Sequence, residues 1–125
     1  MASRDIYDLD IKLQNAFVDA LEIWLEKYPG RARPFLTCTH RTNKEQDELF
    51  AIGRTLPGKI VTNAKAGKSK HNSLPSKAFD IAFNFHGRID WDVQLFKDFA
   101  EIIKPMGITW GGDFKSIKDR PHFEI

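Results

Sequence analysis

The chain has 125 residues, a net charge of +2 and 29% charged residues, which is long enough to bury a core without covalent staples. No apolar run approaches the roughly 18 residues of a bilayer-spanning helix, so membrane insertion is not expected. Its one cysteine, Cys38, excludes an internal disulfide and a cysteine-based zinc cluster, and within the apolar run PFLTC it reads as a small buried residue.

In chain order, the opening MASRDIYDLD lacks the charged-then-apolar pattern of a secretion leader, which predicts synthesis in the cytosol. Leu9, Leu13, Phe17, Leu21, Trp24, Leu25 and Tyr28 recur at three- and four-residue intervals and predict an amphipathic helix over 7–28, stopped by Pro29-Gly30. RPFLTCT, 33–39, reads as a buried strand. Thr42 and Glu45 form a capping-box pattern that starts a helix near Asn43, ending near Gly53. From Thr55 to Lys70 the chain is rich in glycine and lysine, with only KIVTN suggesting a short strand, and is predicted to be a long exposed loop. KAFDIAFNF, 77–85, reads as a central strand, and His86-Gly87 as a turn. Trp91, Leu95, Phe96, Phe99, Ile102 and Ile103 lie on one face of a further helix closed by Pro105 and Gly107. GITWGG and PHFEI supply two last strands. The whole, 1–125, is predicted to be one α+β domain, a small antiparallel sheet with helices on one side.

Several polar residues stand out against this background. Asp80 lies between Phe79 and Ile81 in an apolar strand, where a carboxylate must be paired, capped or metal-bound to be tolerated. His71 leaves the exposed loop, and His122 sits in the last strand. Two imidazoles and one carboxylate on separate elements suit a zinc site, although no HExxH helix is present. Asp119 precedes His122 by three residues with Pro121 between them, which suits either a solvated loop acid or a base beside a metal ligand. His40 and His86 read as surface or turn residues. Lys65, Lys68, Lys70 and Lys77 make a basic loop, but no aromatic-basic motif accompanies it, so nucleic acid is not an expected partner.

The segments THRTNKEQDELFAIGRT, SKHNSLPSKAFDIAF and GITWGGDFKSIKDRPHFEI, in that order, resemble the zinc peptidases of the D-Ala-D-Ala carboxypeptidase and L-alanyl-D-glutamate endopeptidase superfamily, over residues 35–125. That group includes many phage endolysins and shares the Hedgehog/DD-peptidase fold. The resemblance implies zinc on His71, Asp80 and His122, with Asp119 as the catalytic carboxylate. It implies that Arg41 binds substrate or the developing oxyanion, and that Gln46, which matches the helix that follows, also binds substrate. Trp110 and Phe114 are candidates for the groove wall. The usual motif, SxHxxGxAxD, spaces histidine and aspartate by seven residues, whereas nine separate His71 from Asp80 here. The expected function is hydrolysis of the L-Ala–D-Glu bond of peptidoglycan stem peptides by a monomeric phage or prophage endolysin, acting on the cell wall after export by other means. The alternatives are a D,D-carboxypeptidase or dipeptidase on the same site, and a zinc-stabilised wall-binding domain without catalysis. Because His122 stands three residues from the end, the last strand is expected to be anchored by metal and sheet together.

Overall fold

Antiparallel strand pairing organises the chain. The computed structural model describes residues 2–125. Its sheet contains β1 (Arg33–Cys38), β2 (Ala78–Phe85), β3 (Arg88–Asp90), β4 (Thr109–Trp110) and β5 (His122–Glu124), in the order β1-β2-β5-β4, with β3 pairing to β2 as a hairpin. Three helices complete it: α1 (Ile11–Lys27), α2 (Asn43–Ala51) and α3 (Val93–Ile103).

Alternation along β2 decides which residues become core and which become site. Phe79, Ile81 and Phe83 point to one face and join Leu13, Phe17 and Trp24 of α1 with Phe96, Phe99 and Ile103 of α3. Asp80 points the other way. Its cross-strand partners are Cys38 on β1 and His122 on β5, so these three residues form a row across the sheet. The adjacent row, Phe79, Phe123 and Trp110, faces the core. Helices α1 and α3 therefore cover one face, as expected. Helix α2 contributes no side chain to that core and serves the opposite face instead.

Local chemistry explains the element boundaries. The helix expected from residue 7 begins at Ile11 because the Asp10 carboxylate accepts from the Lys12 amide. Leu9 instead makes a parallel bridge to Ser76. Thr42 and Glu45 make both hydrogen bonds of the capping box at the start of α2. Trp91 lies before the Asp92 cap of α3 and is 57% exposed, although its ring stacks on Phe96. RID, not recognised as a strand, pairs with β2 across the His86-Gly87 turn, where both residues have positive φ. KIVTN forms no strand. The 55–69 loop is tied instead to α2, with Gln46 Nε2 donating to Ala64 O, Arg54 to Thr62 O, and the Ala66 amide to Asp47.

The last strand is an inner one, paired with β2 on one side and β4 on the other. Phe123 is fully buried against Phe79 and Phe99. Burying a phenylalanine contributes about 1.5–3 kcal/mol, and the two ladders add to it. The sheet half of the expected anchoring is therefore in place without reference to metal. Amide hydrogen exchange at residues 122–124 should stay slow after chelator treatment, and rapid exchange there would contradict a sheet-anchored terminus.

Candidate metal and catalytic site

Three elements bring His71, Asp80 and His122 to one point. His71 lies in the 3-10 turn Lys70–Asn72, whose Ser69 cap accepts from the His71 amide. Asp80 and His122 are register partners on β2 and β5. His71 Nε2 and His122 Nδ1 each lie 3.1 Å from Asp80 Oδ1, and the two nitrogens are 3.2 Å apart. The nine-residue interval from His71 to Asp80 runs through the Ser73–Lys77 connection, where Leu74 is exposed, and both donors face one point.

The tautomers follow from the far side of each ring. His71 Nδ1 is 2.9 Å from Thr39 O, an acceptor only, so Nδ1 carries the hydrogen and Nε2 keeps a lone pair. His122 Nε2 is 2.7 Å from Glu124 Oε1, which leaves the lone pair on Nδ1. Three lone-pair atoms within 3.2 Å repel one another unless a positive charge lies between them. A tetrahedral zinc ion with ligands at about 2.0–2.1 Å has donor–donor edges of about 3.3 Å, which this triangle matches. In the metal-free chain protons on the two imidazoles take that role. Burial alone would lower the His71 pKa, but hydrogen bonds to Asp80 and Cys38 outweigh it and raise it to about 10. His122 is raised to about 9 against its own burial, through Asp80 and Glu124. Burial would raise Asp80, but the two imidazoles hold it well below the usual carboxylate range.

Cys38, His71 and Asp80 also form a group close enough to hold an ion. The Cys38 sulfur, however, approaches His71 at Nδ1, 3.6 Å away, the nitrogen that already faces Thr39 O. His122, by contrast, meets His71 at Nε2, the nitrogen that keeps the lone pair. The His-Asp-His triangle is the better donor set, and Cys38 is the small buried residue expected of it.

Asp119 lines the same cleft, a hollow of about 450 Å³ that also meets Arg41, Lys68 and Phe114. Burial raises its pKa first, and the Asp80 charge adds to this, against the opposing pull of His122, His71 and Arg41. The WGG segment holds its backbone. Gly111 O accepts from the Asp119 amide at 2.9 Å, and the Trp110 indole donates to Arg120 O at 2.7 Å. A side chain at Gly111 would collide with the Asp119 carbonyl, and one at Gly112 with the Trp110 ring. These glycines are there for close approach.

Two expected contacts are corrected. Trp110 is not in the cleft wall: it is 7% exposed, packs in the core and positions the Asp119–His122 turn through its indole. The aromatic residue in the wall is Phe114, 5.8 Å from the His122 ring. Gln46 is fully buried and does not reach the cleft. It accepts from Arg41 Nη1 at 3.0 Å and donates to Ala64 O, linking the arginine to the long loop. Arg41 itself lines the cleft, with Nη2 3.6 Å from Asp80 Oδ2, the carboxylate oxygen that the imidazoles leave free. Glu124 escaped the sequence reading. Its signal was there: in HFE the first and third residues share a strand face, so Glu124 stands beside His122, and Lys70 Nζ pairs with it at 3.0 Å.

A profile of the family described as D-alanyl-D-alanine carboxypeptidase matches residues 62–125. The peptidoglycan L-alanyl-D-glutamate endopeptidase CwlK of Bacillus subtilis (strain 168) is 42% identical over 95 residues, covering 68% of this chain and 56% of CwlK. The chain thus spans about half the length of this curated relative. Among solved structures, the Serratia marcescens L-Ala D-Glu endopeptidase ChiX superposes with a TM-score of 0.72 at 19% identity, over 100% of this chain and 88% of ChiX. A mutant of the vancomycin-resistance D,D-pentapeptidase VanY, in complex with Zn(II), gives 0.64 at 16% identity, over 93% of this chain and 71% of VanY. Both share the fold. The profile spans more than half of the chain and includes His71, Asp80, Asp119 and His122, and on that ground the chain belongs to the D-alanyl-D-alanine carboxypeptidase family of peptidases.

Proposed function

We propose that the chain is a zinc peptidase that hydrolyses the L-Ala–D-Glu bond of peptidoglycan stem peptides. The observation that carries this reading is the triangle of His71 Nε2, Asp80 Oδ1 and His122 Nδ1, with the buried Asp119 carboxylate in the same cleft. A structural metal site needs no adjoining base, so Asp119 favours catalysis over a wall-binding role. The choice of bond is supported by the likeness to CwlK.

His71, Asp80 and His122 would hold the zinc, and Thr39 O and Glu124 fix the two imidazole tautomers that this needs. When bound, zinc supplies Lewis acidity that polarises a carbonyl and makes water acidic near neutral pH. Asp119 takes the proton of the attacking water and delivers it to the leaving amine nitrogen. Its raised proton affinity suits both halves of that task. Arg41, held by Gln46 and Asp80, keeps a cation beside the reacting carbonyl, where negative charge develops. Phe114 shields the cleft on the His122 side.

A lytic role, in which the chain acts as a phage or prophage endolysin on the wall as a monomer after synthesis in the host cytoplasm, extends this proposal. It is supported by the likeness to cell-wall peptidases and by the mildly basic charge, which suits an anionic wall. Among the described residues, no helix is long and apolar enough to cross a membrane. The second reading, removal of a terminal D-alanine, is favoured by the family's description and by the likeness to VanY.

Mass spectrometry of purified peptidoglycan after digestion separates the two. New L-Ala carboxyl and D-Glu amino termini are expected. Release of D-alanine alone would replace this reading with the second, and no new termini would contradict both.

A further inference from the structure

The cleft does not stop at Asp119. It runs into a second hollow of about 370 Å³ lined by Ser116 and Ile117, and the two share Val61, Thr62, Ala64, Lys68, Phe114 and Asp119. The result is one groove between the 61–68 and 114–119 segments that continues past Asp119.

The cations along this groove are not equivalent. Arg41 is engaged by Gln46 and Asp80. Lys70 is engaged by Glu124 and by Ile125 O. The Lys68 ammonium has no ion pair or hydrogen bond among the described residues, yet it stands where the two hollows meet, on the wall shared with Asp119. Its backbone is held firmly. The Lys68 amide donates to Lys65 O, and the amides of Gly67 and Ser69 on either side both donate to Asn72 Oδ1. Asn72 in turn donates to Arg41 O, and Gly67 takes the left-handed conformation (φ 78°) that the turn requires. An uncompensated cation on a braced turn is preorganised for an anionic group of the substrate.

The proposed substrate has such a group at that place. In an L-Ala–D-Glu junction continued through the glutamyl γ-carboxyl, the free α-carboxylate is attached to the carbon that bears the leaving nitrogen. That nitrogen must lie near Asp119 to receive its proton. We infer that Lys68 is a specificity-determining residue that pairs with the α-carboxylate of the D-glutamyl residue, so that the site distinguishes the free acid from its amide. This rests on the reading of the bond given above.

The test uses two synthetic stem peptides, one with D-glutamate and one with its α-amide, D-isoglutamine, and compares kcat and KM for wild type, Lys68→Met and Lys68→Glu. A charge-assisted hydrogen bond to an exposed lysine predicts a wild-type preference for the acid of roughly three- to five-fold in kcat/KM. Lys68→Met should lose that preference through a higher KM for the acid, with kcat and the amide's constants unchanged, and Lys68→Glu should favour the amide. The exposed, unpaired side chain predicts unaltered melting temperature and zinc content in both variants. Equal wild-type rates on acid and amide, or an equal loss on both substrates in Lys68→Met, would overturn the role of Lys68 while leaving the reading of the bond intact. Cleavage of neither peptide by the wild type would overturn both.

Discussion

Asp119→Asn should lower turnover by about 10²–10⁴-fold, the range typical of a general acid–base group, while leaving the fold and the metal content in place. The substitution keeps size and shape, and the turn that carries the residue is held through backbone atoms, the Asp119 amide on Gly111 O and the His122 amide on Asp119 O. Its effect on stability has a definite sign. The pKa of Asp119 is raised in the folded chain, first by burial and then by Asp80, so the folded state binds its proton more tightly than the unfolded state does. Stability from that group is therefore present at acid pH and lost as pH rises from the unfolded value of 3.8 through the raised one. Above that window the ionised carboxylate destabilises the fold, and asparagine should hold or increase the melting temperature at neutral pH. Near-wild-type hydrolysis by Asp119→Asn would move the base to another group.

The second large effect concerns metal and protons. The metal-free triangle holds protons at His71 and His122, whose pKa values stand at about 10 and about 9. These imidazolium–Asp80 contacts stabilise the metal-free fold fully between the unfolded Asp80 value of 3.8 and pH 6.5, and are lost as pH rises through 9 to 10. Zinc needs the lone pairs that those protons occupy, so binding at neutral pH should release about one to two protons. Calorimetric titration of zinc into metal-free protein, in buffers of different ionisation enthalpy, measures that number. Apparent affinity should fall steeply as pH is lowered, and His122→Ala should abolish both the binding and the hydrolysis. Zinc uptake without proton release would show that it binds elsewhere.

The fold was legible wherever one period dominated the sequence. Leu13, Phe17 and Trp24 announce α1, and the apolar run around Asp80 announces β2. What stayed hidden depended on pairing partners distant in sequence. RID carries no strand signal of its own and becomes β3 only because the His86-Gly87 turn folds it onto β2. KIVTN has a β-rich composition but pairs with no strand. That the short final segment is an inner strand cannot be read from PHFEI, since its two neighbours are supplied by β2 and β4.

The site divides along similar lines. His71, Asp80, Asp119 and His122 were singled out by residue type and motif, and the structure brings them to one cleft. Gln46 and Trp110 match their motif positions but face inward, each turned by a hydrogen bond to a group that sequence spacing does not reveal, Ala64 O and Arg120 O. Glu124 was missed because a carboxylate near a chain end looks solvated until its strand neighbour two residues back proves to be buried.

The central claim is that one zinc ion sits on His71 Nε2, Asp80 Oδ1 and His122 Nδ1. Anomalous diffraction at the zinc edge from crystals of the zinc-loaded protein tests it most directly. The account predicts one peak about 2.0–2.2 Å from each of those three atoms. A peak on Cys38 and the Nδ1 side of His71, or none in the cleft, would contradict it.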